Sequence, residues 1–343
     1  STTPPAGRSR GGRYAHWAKT PHMKGGNVTM ENESNDKLLS VVIPAHNEQD
    51  NIALAVGRVG GILDAAGIRH EFVFVDDGSS DDTWKNLCAA AKANPCVRAV
   101  RLTRCFGKEA AIYAGLEAAA GDCSVVIDCD MQHPPEKIPE MWRLWCEGYE
   151  IIEGVKRERG HESALHKFSA HMFYNMISNA SGVDMSRSSD FKLLDRKAVL
   201  VLLNMPERNT FFRALSAWVG FRSTQVEFEV QPRTAGETKW KPMKLFSYAV
   251  SNITSFTSAP LYMVIFLGVI MLIAAIVLGI EALHSYITGI AFEGFTTVIL
   301  LLLFIGSILM ISLGIIGYYI SKIYEEVKRR PRYVVEETLG QRK

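Results

Sequence analysis

The sequence predicts an α/β protein, a mostly parallel sheet domain followed by two C-terminal transmembrane helices. Three observations carry this expectation. Short apolar, β-rich runs alternate with helical patterns from Leu38 to about Ile152, which demands crossover connections. The strand runs are apolar on both sides, as a sheet covered on both faces requires. Two nearly unbroken apolar runs, Leu261–Leu283 and Phe295–Tyr319, reach the length that spans a bilayer.

Residues 1–37 are rich in Gly, Ser, Pro, Thr and Asn and hold no apolar h-region. They are expected to be a disordered tail or the remnant of a tag. Leu39–Ile43 reads as a strand. The stretch 49–66 reads as a helix, with Ile52, Ala53, Val56, Val59, Ile62 and Leu63 at helical spacing. Strand Phe72–Val75, helix Asp81–Ala93 and strand Val97–Leu102 follow, then an Ala-rich helix, Lys108–Ala120, stopped by Gly121. Ser124–Ile127 is a strand, and Pro135–Glu147 a helix with proline near its start. Ile151-Ile152 opens another strand. A helix is expected from Ser163 to about Ser181, with Leu165, Phe168, Met172, Phe173, Met176 and Ile177 as its apolar stripe.

The domain layout follows: a tail at 1–37, the sheet domain at 38–233, a juxtamembrane amphipathic segment at 234–259, two spans with a short outside loop at 260–324, and a basic tail at 325–343. In the amphipathic segment Met243, Leu245, Phe246, Val250, Ile253 and Phe256 mix with Lys, Ser and Thr, as in a helix lying on a membrane surface.

A formal net charge of +2 is too small to argue for nucleic acid, so local placement matters more. Lys239, Lys241 and Lys244 precede the first span, and Lys322, Lys328, Arg329, Arg330 and Arg332 follow or end the second. The intervening stretch 284–294 has neither Lys nor Arg. The positive-inside rule then puts the sheet domain and both termini in the cytoplasm. Six cysteines without a CxxC pair fit that reducing compartment better than a disulfide framework.

The polar motifs fall after successive strands. Pro44-Ala45-His46-Asn47-Glu48 follows the first and Asp76-Asp77-Gly78-Ser79-Ser80 the second. Thr103-Arg104-Cys105-Phe106-Gly107-Lys108 follows the third, and Asp128-Cys129-Asp130-Met131-Gln132-His133-Pro134 the fourth. Ligands of open parallel sheets bind outside the carboxyl ends of the strands, so the four motifs describe one crevice. Alone, D-D-G-S-S is no more than a turn with a Ser cap, and D-C-D is either a metal site or a polar turn. If the backbone stays extended, Asp128, Asp130 and Gln132 share one side, a donor set suited to a hard divalent cation that also takes diphosphate oxygens.

P-A-H-N-E, V-D-D-G-S-S-D-D-T, D-C-D-M-Q-H-P-P-E, S-D-F-K-L-L-D-R and I-S-K-I-Y-E-E-V-K-R-R-P-R-Y together resemble the membrane-bound polyprenyl-phosphate glycosyltransferases of glycosyltransferase family 2. That group includes bactoprenol glucosyltransferases and dolichol-phosphate mannose synthases. The resemblance runs from about Leu39 to Val335. It implies a GT-A (Rossmann-like) fold and a nucleotide-sugar donor held by Pro44, His46, Asn47, Glu48, Asp76, Asp77, Gly78, Lys108, Asp128, Cys129, Asp130 and Arg233. It implies Mg²⁺ or Mn²⁺ on Asp128, Asp130 and Gln132, with Cys129 standing where the family usually has a small residue.

On the acceptor side, Lys156, Arg157, Arg159, Ser163, Lys167, Arg213 and Lys239 are expected to meet a lipid phosphate. The alternative for the 163–181 helix is a solvated polar face. Arg233 and Lys239 sit in a loop similar to the family's R-x-x-G-E-S-K, with Thr238 for Ser. Asp128, Asp130 and Asp190 are the candidate catalytic residues; Asp190 either orients a sugar hydroxyl, assists as a base, or is a turn carboxylate.

The implied reaction is inverting transfer of a sugar, glucose by family weighting, from a UDP-sugar to polyprenyl (undecaprenyl) phosphate on the inner face of the cytoplasmic membrane. A UDP-aminosugar, UDP-galactose or GDP-mannose are alternative donors, and the resemblance implies a homotetramer. A processive polysaccharide synthase would bring a Q-x-x-R-W motif and more spans, which the chain lacks. A membrane anchor or lipid translocator would need the spans but not the four crevice motifs.

Overall fold

The computed structural model describes residues 36–157, 189–207, 211–229, 259–288 and 295–340. The elements in chain order begin with β1 (Leu39–Ala45), α1 (Ile52–Ala65), β2 (His70–Asp76), α2 (Thr83–Ala93), β3 (Val97–Leu102), α3 (Lys108–Ala118) and β4 (Cys123–Val126). A 3-10 turn (Pro135–Lys137) leads into α4 (Ile138–Cys146), followed by β5 (Ile151–Lys156), β6 (Lys192–Asp195), α5 (Arg196–Asn204), α6 (Phe212–Trp218) and β7 (Ser223–Phe228). The last are α7 (Ala259–Ile287), α8 (Phe295–Val327) and β8 (Val335–Leu339).

All eight strands join one sheet in the order β7-β5-β6-β4-β1-β2-β3-β8. Its centre, β4-β1-β2-β3, is parallel, and β5 pairs parallel with β7. The β4–β6, β5–β6 and β3–β8 pairs are antiparallel. The period-two alternation of strands separates two cores. Leu39, Val41, Ile43, Phe72 and Phe74 pack with Ile52, Val59 and Leu63 of α1, Leu87 of α2 and Met141 of α4. On the opposite face Val42, Val73 and Val126 pack with Ile112 and Leu116 of α3, Val199 and Leu202 of α5 and Phe212 of α6. Each such apolar side chain contributes about 1.5–3 kcal/mol on burial. Helix α3 comes so close to β1 that a Cβ on Gly115 would lie 2.3 Å from a Val42 methyl.

The five strands and four helices expected between Leu39 and Ile152 are present, with ends shifted by a few residues. Three strands are new. β6 has four residues, too few for a periodic pattern. β7 alternates but carries exposed polar positions, and β8 is charged. β8 changes the expected basic tail 325–343: α8 continues to Val327, and Val335–Leu339 returns to the sheet as its edge beside β3. The residues just before it fasten this return. Arg332 donates to the carbonyls of Met205 and Glu207 and lies over the Tyr113 ring, while the Tyr333 hydroxyl bonds Glu117. Thr103 N donates to Val334 O at 3.0 Å.

Helices α7 and α8 have 29 and 33 residues and present apolar side chains such as Phe266, Ile280, Phe304 and Met310 outward. By length and composition both can cross a membrane, over Val264–Glu281 and Phe304–Val327. The expected 163–181 helix, the juxtamembrane stretch before Ala259 and residues 1–35 lie outside the described residues.

Candidate active site

Strand order β3-β2-β1-β4 places a topological switch between β1 and β4, where the first connection runs to one side and the later one to the other. The four polar loops meet at the carboxyl ends of these strands. In the loop after β1, Asn47 takes a positive φ of 56°. Its amide donates to Ser79 Oγ at 2.9 Å, and its side-chain oxygen accepts from Ser80 N at 2.8 Å. His46 Nδ1 lies 2.9 Å from the Asp77 carbonyl, and Glu48 N donates to Thr83 Oγ1 at 2.9 Å. Pro44 sits in β1 itself, paired with Val75.

Asp76 and Asp77 first of all build this frame. Asp76 Oδ1 accepts from Ser79 N at 2.9 Å, closing the turn. Asp77 accepts from Phe106 N at 2.7 Å and Gly107 N at 2.8 Å, tying the third loop to the second. Gly78 is required by both conformation and space. Its φ is 63°, and a Cβ there would stand 2.5 Å from the Arg104 carbonyl carbon.

The fourth loop departs from the expected extended geometry. The chain turns at Cys129–Asp130, and Met131 adopts φ 56°, so the i, i+2, i+4 register of Asp128, Asp130 and Gln132 does not hold. Instead Asp130 Oδ1 accepts from the Gln132 amide at 3.1 Å. The side chains of Cys129 and Met131 are buried in the core, so Cys129 offers the crevice its backbone rather than its thiol. His133, given no role by sequence reasoning, props the turn. It is buried, stacks on Phe191 at 5.3 Å and accepts from Asp128 N at 3.4 Å. Burial pushes its pKa down, which keeps this acceptor neutral.

The centre of the crevice is a chain of charges. Lys108 Nζ lies 2.7 Å from Asp128 Oδ1 and 2.7 Å from Asp190 Oδ2. Arg213 meets Asp190 through Nε at 2.7 Å and Nη2 at 2.9 Å. Burial opposes the Lys108 ammonium, but the two carboxylates outweigh it and raise its pKa. Burial likewise opposes ionised Asp190, and Lys108 and Arg213 overcome that and hold it far below the ordinary carboxylate range. Asp190 is therefore a poor proton acceptor; it fixes two cations. Lys156 feels the field of this cluster, its pKa lowered by burial and then by Arg213. Glu109, also missed by sequence reasoning, lies beside the cluster and accepts from Phe212 N at 2.9 Å.

The donor chemistry at β4 fits a hard divalent cation. Both oxygens of the buried Asp128 carboxylate face the Lys108 ammonium, at 2.7 and 2.9 Å, so this carboxylate is already paired with a cation. Asp130 supplies a second carboxylate on the same turn. Arg157 faces Glu229 at 3.7 Å on the exposed β5–β7 end, apart from the charge chain. Arg159, Ser163, Lys167, Arg233 and Lys239 lie outside the described residues.

A crevice at the switch point of a mostly parallel sheet is where open α/β proteins bind their ligands. The profile of "Glycosyl transferase family 2" matches residues 40–202. An uncharacterized glycosyltransferase of Synechocystis sp. is 39% identical over 88% of this chain and 96% of its own. The prophage bactoprenol glucosyl transferase homolog of Escherichia coli is 34% identical over 87% of this chain and 98% of its own. Bactoprenol glucosyl transferase of Shigella phage SfII is 32% identical over 88% and 98%. The chain belongs to glycosyltransferase family 2. Among solved structures, glucosyl-3-phosphoglycerate synthase from Mycobacterium tuberculosis with UDP aligns at TM-score 0.45 and 22% identity over 69% of this chain and 85% of its own.

Proposed function

We propose that this glycosyltransferase moves glucose from UDP-glucose to polyprenyl (undecaprenyl) phosphate at the cytoplasmic face of a membrane, with inversion at the anomeric carbon. The observation that carries this reading is the extent of the likeness to bactoprenol glucosyl transferases. It covers 98% of their length and so includes both apolar helices as well as the crevice.

A lipid phosphate monoester has a second pKa near 6 and is largely dianionic at neutral pH, so its oxygen attacks without a strong base. Against the effect of burial, Asp190 is held between Lys108 and Arg213, which lower its pKa. A bond forms between the acceptor oxygen and the anomeric carbon as the bond to the nucleotide diphosphate breaks. Lys108, Arg213 and Lys156 lie where phosphate charge from both substrates would gather, and the first two are fixed in advance by Asp128 and Asp190. The loops after β1 and β2 would hold base and ribose. Asp128 and Asp130 would hold Mg²⁺ or Mn²⁺, which would supply Lewis-acid stabilisation of the leaving diphosphate when bound.

Topology supports the membrane part of the reading. β8 follows α8 yet pairs with β3, so the chain before α7 and the chain after α8 share one side, as two spans require. The outward apolar faces of α7 and α8 suit lipid and helix contacts in a homo-oligomer, a tetramer in this proposal.

The test is transfer of radiolabelled sugar from a panel of nucleotide sugars to a short polyprenyl phosphate in Mg²⁺, Mn²⁺ or chelator. UDP-glucose is expected to be the best donor. Asp130→Ala is expected to lose at least about 100-fold in rate. Undiminished transfer by that variant would remove the metal assignment, and no transfer with any donor would favour a non-enzymatic membrane protein.

A further inference from the structure

Helix α6 has seven residues and starts without a side-chain cap, so its first amides need acceptors from elsewhere. Phe212 is fully buried, and its amide is met by Glu109 Oε2 at 2.9 Å, from a residue 103 positions earlier. The next residue is Arg213, whose fork grips Asp190. The same helix is held from below. Lys192, buried on β6, pairs with Glu153 at 2.9 Å and donates to Ser216 Oγ at 2.9 Å and to Arg213 O at 3.2 Å. Glu109 also follows directly on Lys108, the other cation bound to Asp190. The first turn of α3 therefore addresses Asp190 twice, once through Lys108 and once through the helix that carries Arg213.

We propose that Glu109 is a positioning residue that anchors α6 and thereby sets Arg213 for the acceptor phosphate. The role rests on the functional reading above, but its structural half can be tested without turnover. The groups around Glu109 are Lys108 and Tyr113 on its own helix, Asp190 before β6 and Arg213 on α6. Burial, then Asp190, pushes its carboxyl up to about 8. Above that pH a second anion stands beside Asp190 and competes with phosphate for Arg213. The lipid phosphate is already fully ionised there.

The experiment compares full-length wild type, Glu109→Ala and Glu109→Gln. Backbone hydrogen exchange of residues 212–218, read by mass spectrometry, is expected to accelerate in the Ala variant and to return to wild-type rates in the Gln variant, which keeps an acceptor oxygen. In the transfer assay the Ala variant should raise the KM for polyprenyl phosphate roughly tenfold, the loss expected for an orphaned buried amide, with the UDP-glucose KM nearly unmoved. The wild-type acceptor KM should climb as pH passes about 8, and the Gln variant should lack that rise. Unchanged exchange in the Ala variant overturns the anchoring. Equal losses for Ala and Gln, or an acceptor KM that neither variant moves, overturn the positioning role. Accelerated exchange with no transfer by wild type on any donor would sustain the anchor while removing the functional reading.

Discussion

Gly78 and Lys108 hold the crevice together in different ways. At Gly78 the constraint is steric: Ala would put a methyl group into the Arg104 backbone at a positive φ. Gly78→Ala is expected to cost about 2 kcal/mol or more of stability, read from urea unfolding of the purified protein. At Lys108 the constraint is electrostatic. Without its ammonium, Asp128 and Asp190 lose their shared counter-charge. Lys108→Met is expected to lower the transfer rate at least about 100-fold. It should also shift acid unfolding. The Asp190 carboxyl is more acidic folded than unfolded, so it stabilises the fold above its ordinary pKa near 3.8 and loses that contribution as pH falls through its folded value. Removing Lys108 raises the folded value, so acid unfolding followed by circular dichroism should begin at higher pH. The loop residues of this crevice were legible because P-A-H-N-E, D-D-G-S-S and D-C-D are dense polar runs at strand ends. Glu109 and His133 were not, because their partners, Phe212 and Phe191, lie far along the chain.

Among elements, those from β1 to β5 could be read from alternating apolar runs and α7 and α8 from their long apolar stretches, whereas β6, α5, α6, β7 and β8 could not. β6 is a strand by virtue of the neighbours it inserts between, and the short alternation of β7 is realised only beside β5. β8 carries Glu336 and Glu337 and is mostly exposed, a composition that ordinarily reads as a solvated tail. Charge of this kind is also how edge strands avoid pairing with other molecules. Its removal uncovers β3. A chain ended after Arg330 should melt several degrees lower in differential scanning fluorimetry and should aggregate more readily. An unchanged melting temperature would show that the Arg332 and Tyr333 contacts contribute little.

For the whole molecule, the proposed arrangement is a hairpin of two spans with the sheet domain and β8 on the inner side. Thr288, at the end of α7, then lies near the outer surface. In sealed cells a Thr288→Cys variant should react with a membrane-impermeant maleimide, while the exposed native Cys96 and Cys105 should react only after permeabilisation. Labelling of the native pair in sealed cells would reverse the orientation. Charge and hydropathy are the sequence signals behind this proposed layout, because they act over whole segments. The return of the chain to its own sheet was hidden, since no local pattern encodes a partner more than two hundred residues away.

That return also imposes an order in time. A ribosome makes β3 early and β8 last, with the whole of α7 and α8 between them. The β3 edge of the sheet therefore stays open until both apolar helices have been made. If the two helices enter a bilayer as they emerge, as proposed above, insertion precedes completion of the sheet.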